Sequence, residues 1–217
     1  YADVYPVENQ EGENSYSAGS EIFECGIYTS LYCGAVLLKK HGPLFDDPLI
    51  GGGTDKPYKS ESTVPAQWLN YWTAGVYGYI IILPNNEGQI NSITYNNIKG
   101  FYESIAYSYF ITIFTKVTAG RKRPSYDGYP EKDKENDGRR SFISGHSSAA
   151  FVTATYSSLY IAEHSGNSSD GITIALKTAA VTASFAAASY TAWSRVNDNR
   201  HRWSDVIAGA AAGAGSG

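Results

Sequence analysis

Three short clusters in the second half of this 217-residue chain hold side chains that can do chemistry. Lys116 is followed, across Gly120, by Arg123-Pro124. Next come Ser144-Gly145-His146, with Ser147 and Ser148 directly after. The last is Ser194-Arg195, then His201, then Asp205. The three cations can converge on an anion. The backbone N-H groups of a small-residue turn that opens a helix bind anions as well. An imidazole can attack an electrophile or carry a proton, and a carboxylate one helical turn away can set its tautomer.

Each cluster taken alone also has a plain structural reading. A Lys and an Arg near a helix end complement the helix dipole. Ser144 or Ser147 is a natural N-cap, with His146 a polar residue of the first turn. A His and an Asp four apart form an ordinary helix-surface ion pair. Read in order, the clusters supply three cations, two histidines, an oriented carboxylate and an anion cradle. That inventory matches phosphoryl transfer, in which charge on the equatorial oxygens must be neutralised while nucleophile and leaving group stay in line.

The run from about residue 116 to 209 resembles the type-2 phosphatidic acid phosphatase superfamily, which includes bacterial acid phosphatases, glucose-6-phosphatase and vanadium haloperoxidases. Lys116, Arg123 and Pro124 match its first motif, Ser144, Gly145 and His146 its second, and Ser194, Arg195, His201 and Asp205 its third. The text around residues 141–148 and 194–206 is closest to the lipid phosphate phosphatases. One departure from the wider family is Ile143, where Pro is usual before Ser-Gly-His; a Pro there stiffens backbone and does no chemistry.

The resemblance implies a metal-independent phosphatase that acts on phosphomonoesters through a phosphohistidine. His201 would be the nucleophile, oriented by Asp205, and His146 the acid that protonates the leaving group. Lys116, Arg123, Arg195, Ser144 and Gly145 would hold the phosphate. No metal or cofactor is expected, vanadate should inhibit, and the substrate would be a phosphorylated lipid or a small phosphomonoester. A vanadium-dependent haloperoxidase using the same ligands, or a non-catalytic phosphate or headgroup-binding module, are the competing readings.

Helices must position these groups. Apolar stretches run over Ile22 to Leu38, Ala66 to Leu83, Tyr95 to Val117, Ser144 to His164, Ile172 to Ser194 and from Ser204 onward. Pro84-Asn85-Asn86, Gly120, Gly166-Asn167 and Asn197-Asp198-Asn199 separate them. This pattern predicts an all-α, single-domain bundle of about six helices over 1–217, with residues 1–20 as an arm. The charged loop 121–140 lies beside the phosphate, where Arg139 and Arg140 either touch the substrate or are solvated.

A net charge of -4 gives no global field to recruit nucleic acid. Cys25 and Cys33, eight apart on one helix, stand about 12 Å apart along its axis, too far for a disulfide, and read as small buried side chains. Ser, Thr, Tyr and Lys interrupt every apolar stretch, so a soluble or peripheral bundle is expected rather than a membrane-spanning one. The start at Tyr1 reads as a processed end and suggests an exported, extracytoplasmic location, with peripheral membrane contact and an unspecified oligomeric state.

Overall fold

The structure is a computed structural model that describes residues 18–82, 92–164 and 170–217. The described residues form seven α-helices and no strand: α1 Ala18–His41, α2 Ala66–Ile82, α3 Ser92–Ala119, α4 Glu131–Lys134, α5 Gly145–His164, α6 Gly171–Asn197 and α7 Trp203–Ser216. The all-α expectation holds, and each of the six expected helices is present. The added one, α4, is a single turn inside the charged loop. Most of the expected N-terminal arm lies outside the described residues, as do Leu83, Pro84-Asn85-Asn86 and Gly166-Asn167.

Helix α5 is the centre of the bundle and packs on α2, α3, α6 and α7, while α1 lies along α3. Val76 and Ile80 of α2, Phe101 of α3 and Tyr160 of α5 fill one core cluster. Ala35, Ile113 and Val117 join α1 to α3. Between α5 and α7 the backbones nearly touch. A Cβ on Gly209 would strike the carbonyl oxygen of Ser144, and one on Gly213 that of Ser148. The Ala/Gly run of α7 is therefore what lets two helix starts sit side by side.

Chain direction puts the three motifs at one end of this bundle. Lys116 lies in the last turn of α3 and Arg195 in the last turn of α6, whereas α5 and α7 begin there. The loop from 42 to 65 fastens the same end. Leu44 N donates to Val117 O at 2.8 Å, Leu49 N to Ala119 O at 2.9 Å and Lys56 N to Pro124 O at 2.9 Å.

The expectation of a soluble or peripheral bundle is overturned. Gly19–His41 and Gly171–Asn197 are long and apolar enough to cross a membrane, and only 6% of each apolar window is buried inside the protein. Ile22, Phe23 and Leu37 of α1 and Ile172 and Leu176 of α6 all turn outward. Apolar helices that bury so little of themselves in the bundle suit a lipid surround and point to an integral membrane protein.

The sequence misled because polar interruptions were counted as costs. Within the helices the hydroxyls bond back to the preceding turn: Ser30 to Gly26 O at 2.7 Å, Thr178 to Ile174 O at 2.9 Å, Ser184 to Ala180 O at 3.0 Å and Thr191 to Ala187 O at 2.9 Å. A satisfied hydroxyl adds little penalty in lipid. Lys177 lies near one end of α6, where a long side chain can reach the interface. Both cysteines are free, in line with their spacing, but neither is the buried side chain expected: Cys25 is partly buried and Cys33 exposed on α1.

Candidate active site

The first motif turns on Gly120, whose φ of +58° is the left-handed conformation that closes a helix. Its N-H donates to Lys116 O at 3.2 Å, and the chain then folds back across the bundle end. Lys116 is 8% exposed, and its Nζ donates to Arg140 O at 2.6 Å. Arg123 uses its whole guanidinium. Nε donates to Asp137 O at 2.9 Å, Nη2 to Asp137 Oδ1 at 2.9 Å and Nη1 to Arg200 O at 3.0 Å, with Nη1 also 3.4 Å from His201 Nε2.

The second motif opens α5. Ser144 caps that helix: its Oγ accepts from Ser147 N at 3.4 Å and from Ser147 Oγ at 3.2 Å. The capping reading of Ser144 is thus what its hydroxyl does here. Gly145 follows with Lys116 alongside, since a Cβ there would stand 3.7 Å from Lys116 Cε. His146 sits in the first turn.

The third motif leaves α6 at Arg195 and folds back on it. Arg195 O accepts from Arg200 N at 3.0 Å and from His201 N at 3.1 Å, with Asn199 at a φ of 56° making the turn. His201 precedes α7 by two residues and does not begin it. Asp205 instead lies in that helix's first turn, where its Oδ2 accepts from Arg202 N at 2.9 Å and Ser141 Oγ at 2.5 Å. The His201 Nδ1 to Asp205 Oδ2 distance is 3.6 Å, longer than a hydrogen bond.

All three motifs therefore meet pairwise: first and second at Lys116 and Gly145, first and third at Arg123 and His201, second and third where Ser144 N donates to Asp205 O at 2.9 Å. The electrostatics agree that this is one locus. Burial, then the charges of Arg195, Lys116 and Arg123, push the His146 imidazole down to about 3. Burial also pushes His201 well below its usual value; Asp205 opposes this, and Arg123 and Lys116 reinforce it. Both rings are therefore held neutral at pH 7.

Arg123 has donors only, so its contact makes Nε2 of His201 the acceptor and leaves the proton on Nδ1, facing Asp205. Burial alone would raise the Asp205 carboxyl, but the His201 ring, Arg202 N-H and Ser141 hydroxyl hold it below its usual range.

Several residues of the site carry no motif. Arg121 Nη1 donates to Asp205 Oδ1 at 2.6 Å, so the carboxylate is neutralised by a cation two residues before Arg123. Asp137 lies on Arg123 and accepts from Tyr129 OH. Burial would raise its carboxyl, but Arg123, the Tyr129 hydroxyl and Lys116 hold it well below the usual range. Arg121, Arg123 and Arg140 of the charged loop are thus folded onto the bundle end, while residues 131–133 and 135–137 stay exposed. Arg139 and Arg140 serve as straps, donating to Phe45 O at 2.8 Å and Lys39 O at 2.6 Å. A cavity of about 290 Å³ borders His201, with Asp55, Lys56, Asn199 and Trp203 in its wall.

Comparison with known proteins finds relatives over part of the chain. A PA-phosphatase related-family protein of Dictyostelium discoideum is 34% identical over 121 residues, covering 52% of this chain and 43% of that protein. Phospholipid phosphatase 1 of Rattus norvegicus and of Mus musculus are each 30% identical over 142 residues, covering 55% of this chain and 49% of theirs. The chain spans about half the length of these curated relatives. No solved structure gives a significant match. Residues 99–217, which hold all three motifs and the helices that bring them together, match the PAP2 superfamily, and the chain belongs to that family of type-2 phosphatidic acid phosphatases.

Proposed function

We propose that this membrane protein is a phosphatase that hydrolyses phosphorylated lipids at the motif end of the bundle, using a phosphohistidine intermediate and no metal. The observation that carries the reading is the crowding of Lys116, Arg123 and Arg195 around two neutral imidazoles, with His201 Nε2 free of a proton. Arg123 and Arg195, with Lys116, which burial and the Arg123 charge push down to about 7 and an entering anion would hold protonated, supply the charge that Mg²⁺ supplies in other phosphoryl-transfer sites. The names of the rodent relatives, phospholipid phosphatase, support a phospholipid substrate, as does the membrane setting of α1 and α6.

In the first step His201 Nε2 attacks phosphorus and the bond to the leaving oxygen breaks. His146, protonated once a phosphate dianion has entered, gives its proton to the departing alkoxide. In the second step the now neutral His146 takes a proton from water, which attacks the phosphohistidine. The P-N bond breaks, and orthophosphate leaves with His201 restored. Lys116, Arg123 and Arg195 hold the equatorial oxygens throughout, with the Gly145 N-H at the start of α5.

The test is phosphate release from phosphatidate and from a small aryl phosphate in mixed micelles, with EDTA present. Turnover of phosphatidate that survives EDTA, is inhibited by vanadate and disappears in His201→Ala is the expected result. Activity of His201→Ala near that of the native chain would refute the nucleophile.

A further inference from the structure

Arg195 differs from the other cations of the site in how it is held. Its Nη2 donates to the Asp198 carboxylate, one turn on, and to Ser62 Oγ at 2.6 Å. Asp198 is itself fastened by the loop between α1 and α2: Thr63 N donates to Oδ2 at 2.9 Å and Thr63 Oγ1 to Oδ1 at 2.5 Å. Ser62 Oγ in turn donates to Val64 O at 3.1 Å, which leaves its lone pairs toward Arg195. Arg195 and Asp198 are both almost fully buried. Yet Arg195 Nε is among the buried polar atoms without a hydrogen-bond partner among the described residues.

A buried guanidinium N-H left unpaired costs free energy unless something absent from the structure completes it. Its neighbourhood says what that is. Arg195 O accepts from His201 N at 3.1 Å, so the residue lies beside the candidate nucleophile, and its charge also disfavours protonation of the His146 ring. Nη2 is tied down on Asp198 and Ser62, while the buried Nε-H stays unspent.

We propose that Asp198, held in turn by Thr63, is a positioning residue for Arg195, and that with Ser62 this latch fixes the guanidinium so that its unpaired Nε-H is kept for the phosphoryl group. The proposal rests on the phosphatase reading above. It also gives the loop 57–63 a task in catalysis, although that loop lies outside the stretch that matches the family. Lys59 Nζ donating to Asn197 O at 2.7 Å, Asn199 Nδ2 to Pro57 O at 3.1 Å and Arg200 Nη2 to Lys59 O at 2.7 Å clamp the loop over the same turn. Fixing a flexible Arg before the ligand arrives removes an ordering cost from binding and from the transition state.

The test is titration of orthovanadate and of orthophosphate into the full chain in detergent, by calorimetry, together with Tm and the KM and kcat for phosphatidate. Asp198→Asn should weaken vanadate binding roughly tenfold, because a charge-assisted bond is lost. Thr63→Val should weaken it about threefold with Tm little changed, and Thr63→Ser, which keeps the hydroxyl, should restore it. If Asp198→Asn does not fold, the Thr63 pair still decides. Native protein that binds vanadate while Thr63→Val binds it equally well overturns the latch and leaves the phosphatase reading standing. The latch also falls if Thr63→Ser is as weak as Thr63→Val. Native protein that binds neither anion overturns both.

Discussion

Nη1 of Arg123 stands 3.4 Å from Nε2 of His201, and the same nitrogen donates to Arg200 O one residue before that ring. One guanidinium thus fixes both the backbone approach to His201 and the polarity of its attacking nitrogen. The rest of its fork is spent on Asp137. A lysine would offer one ammonium on a flexible stem and could not keep these partners together. Arg123→Lys should therefore lower kcat/KM for phosphatidate roughly a hundredfold, in the range seen when one charge-stabilising donor is removed. A change under threefold would show that the fork is not needed.

The carboxylate of Asp205 is fully buried, and its Oδ1 is neutralised by Arg121 at 2.6 Å. Removing one member of a buried pair leaves an uncompensated charge and costs about 3 to 5 kcal/mol. Ser141 and Arg202 N-H still solvate Oδ2, so Arg121→Ala should sit at the low end, about 3 kcal/mol. Loss of Tm in detergent measures this. Arg121→Ala combined with Asp205→Asn should recover part of the loss, whereas independent effects would simply add.

How much of this was legible in the sequence differed from group to group. The motif residues could be named because their types and order carry the chemistry, and the helices because apolar stretches ended at Gly, Pro and Asn. Arg121 and Asp137 could not be picked out, since an Arg or Asp in a charged loop has the same local text whether it is solvated or folded onto a site. Thr63 and Asp198 meet across 135 positions of sequence, and no local pattern encodes that. Helix α7 starts at Trp203, one residue before the apolar stretch read from Ser204, because Asp205 bonds Arg202 N-H, a cap that leaves His201 in the loop. The membrane reading failed on composition alone, because which face of α6 would be covered depends on neighbours the sequence does not show.

The outward faces of α1 and α6 predict how the protein partitions. It should stay with the membrane through carbonate extraction and leave it only with detergent. Ala183 is exposed near the middle of α6. An Arg there faces lipid and should cost about 3 kcal/mol of insertion. The fraction of Ala183→Arg recovered in membranes should fall well below that of the native chain. A native chain released by carbonate would return α1 and α6 to the category of soluble helices.

The last prediction concerns protons. His146 is pushed down to about 3 and His201 well below its usual value, whereas both titrate near pH 6.5 in an unfolded chain. Between those limits the unfolded chain binds more protons than the folded one, so the stability from keeping both rings neutral is complete above about pH 6.5 and drains away as pH falls toward 3. Asp137 and Asp205 act in the same direction but lower, their contribution being present above about pH 3.9 and lost beneath it. Tm should thus already drop between pH 7 and pH 5, and His146→Asn should flatten part of that slope. A bound oxyanion reverses the balance at His146 by favouring imidazolium, so vanadate should raise Tm more at pH 5.5 than at pH 7.5. Equal protection at both values would mean that the anion and the His146 proton are not coupled, and His146 could not then be the group that protonates the leaving oxygen.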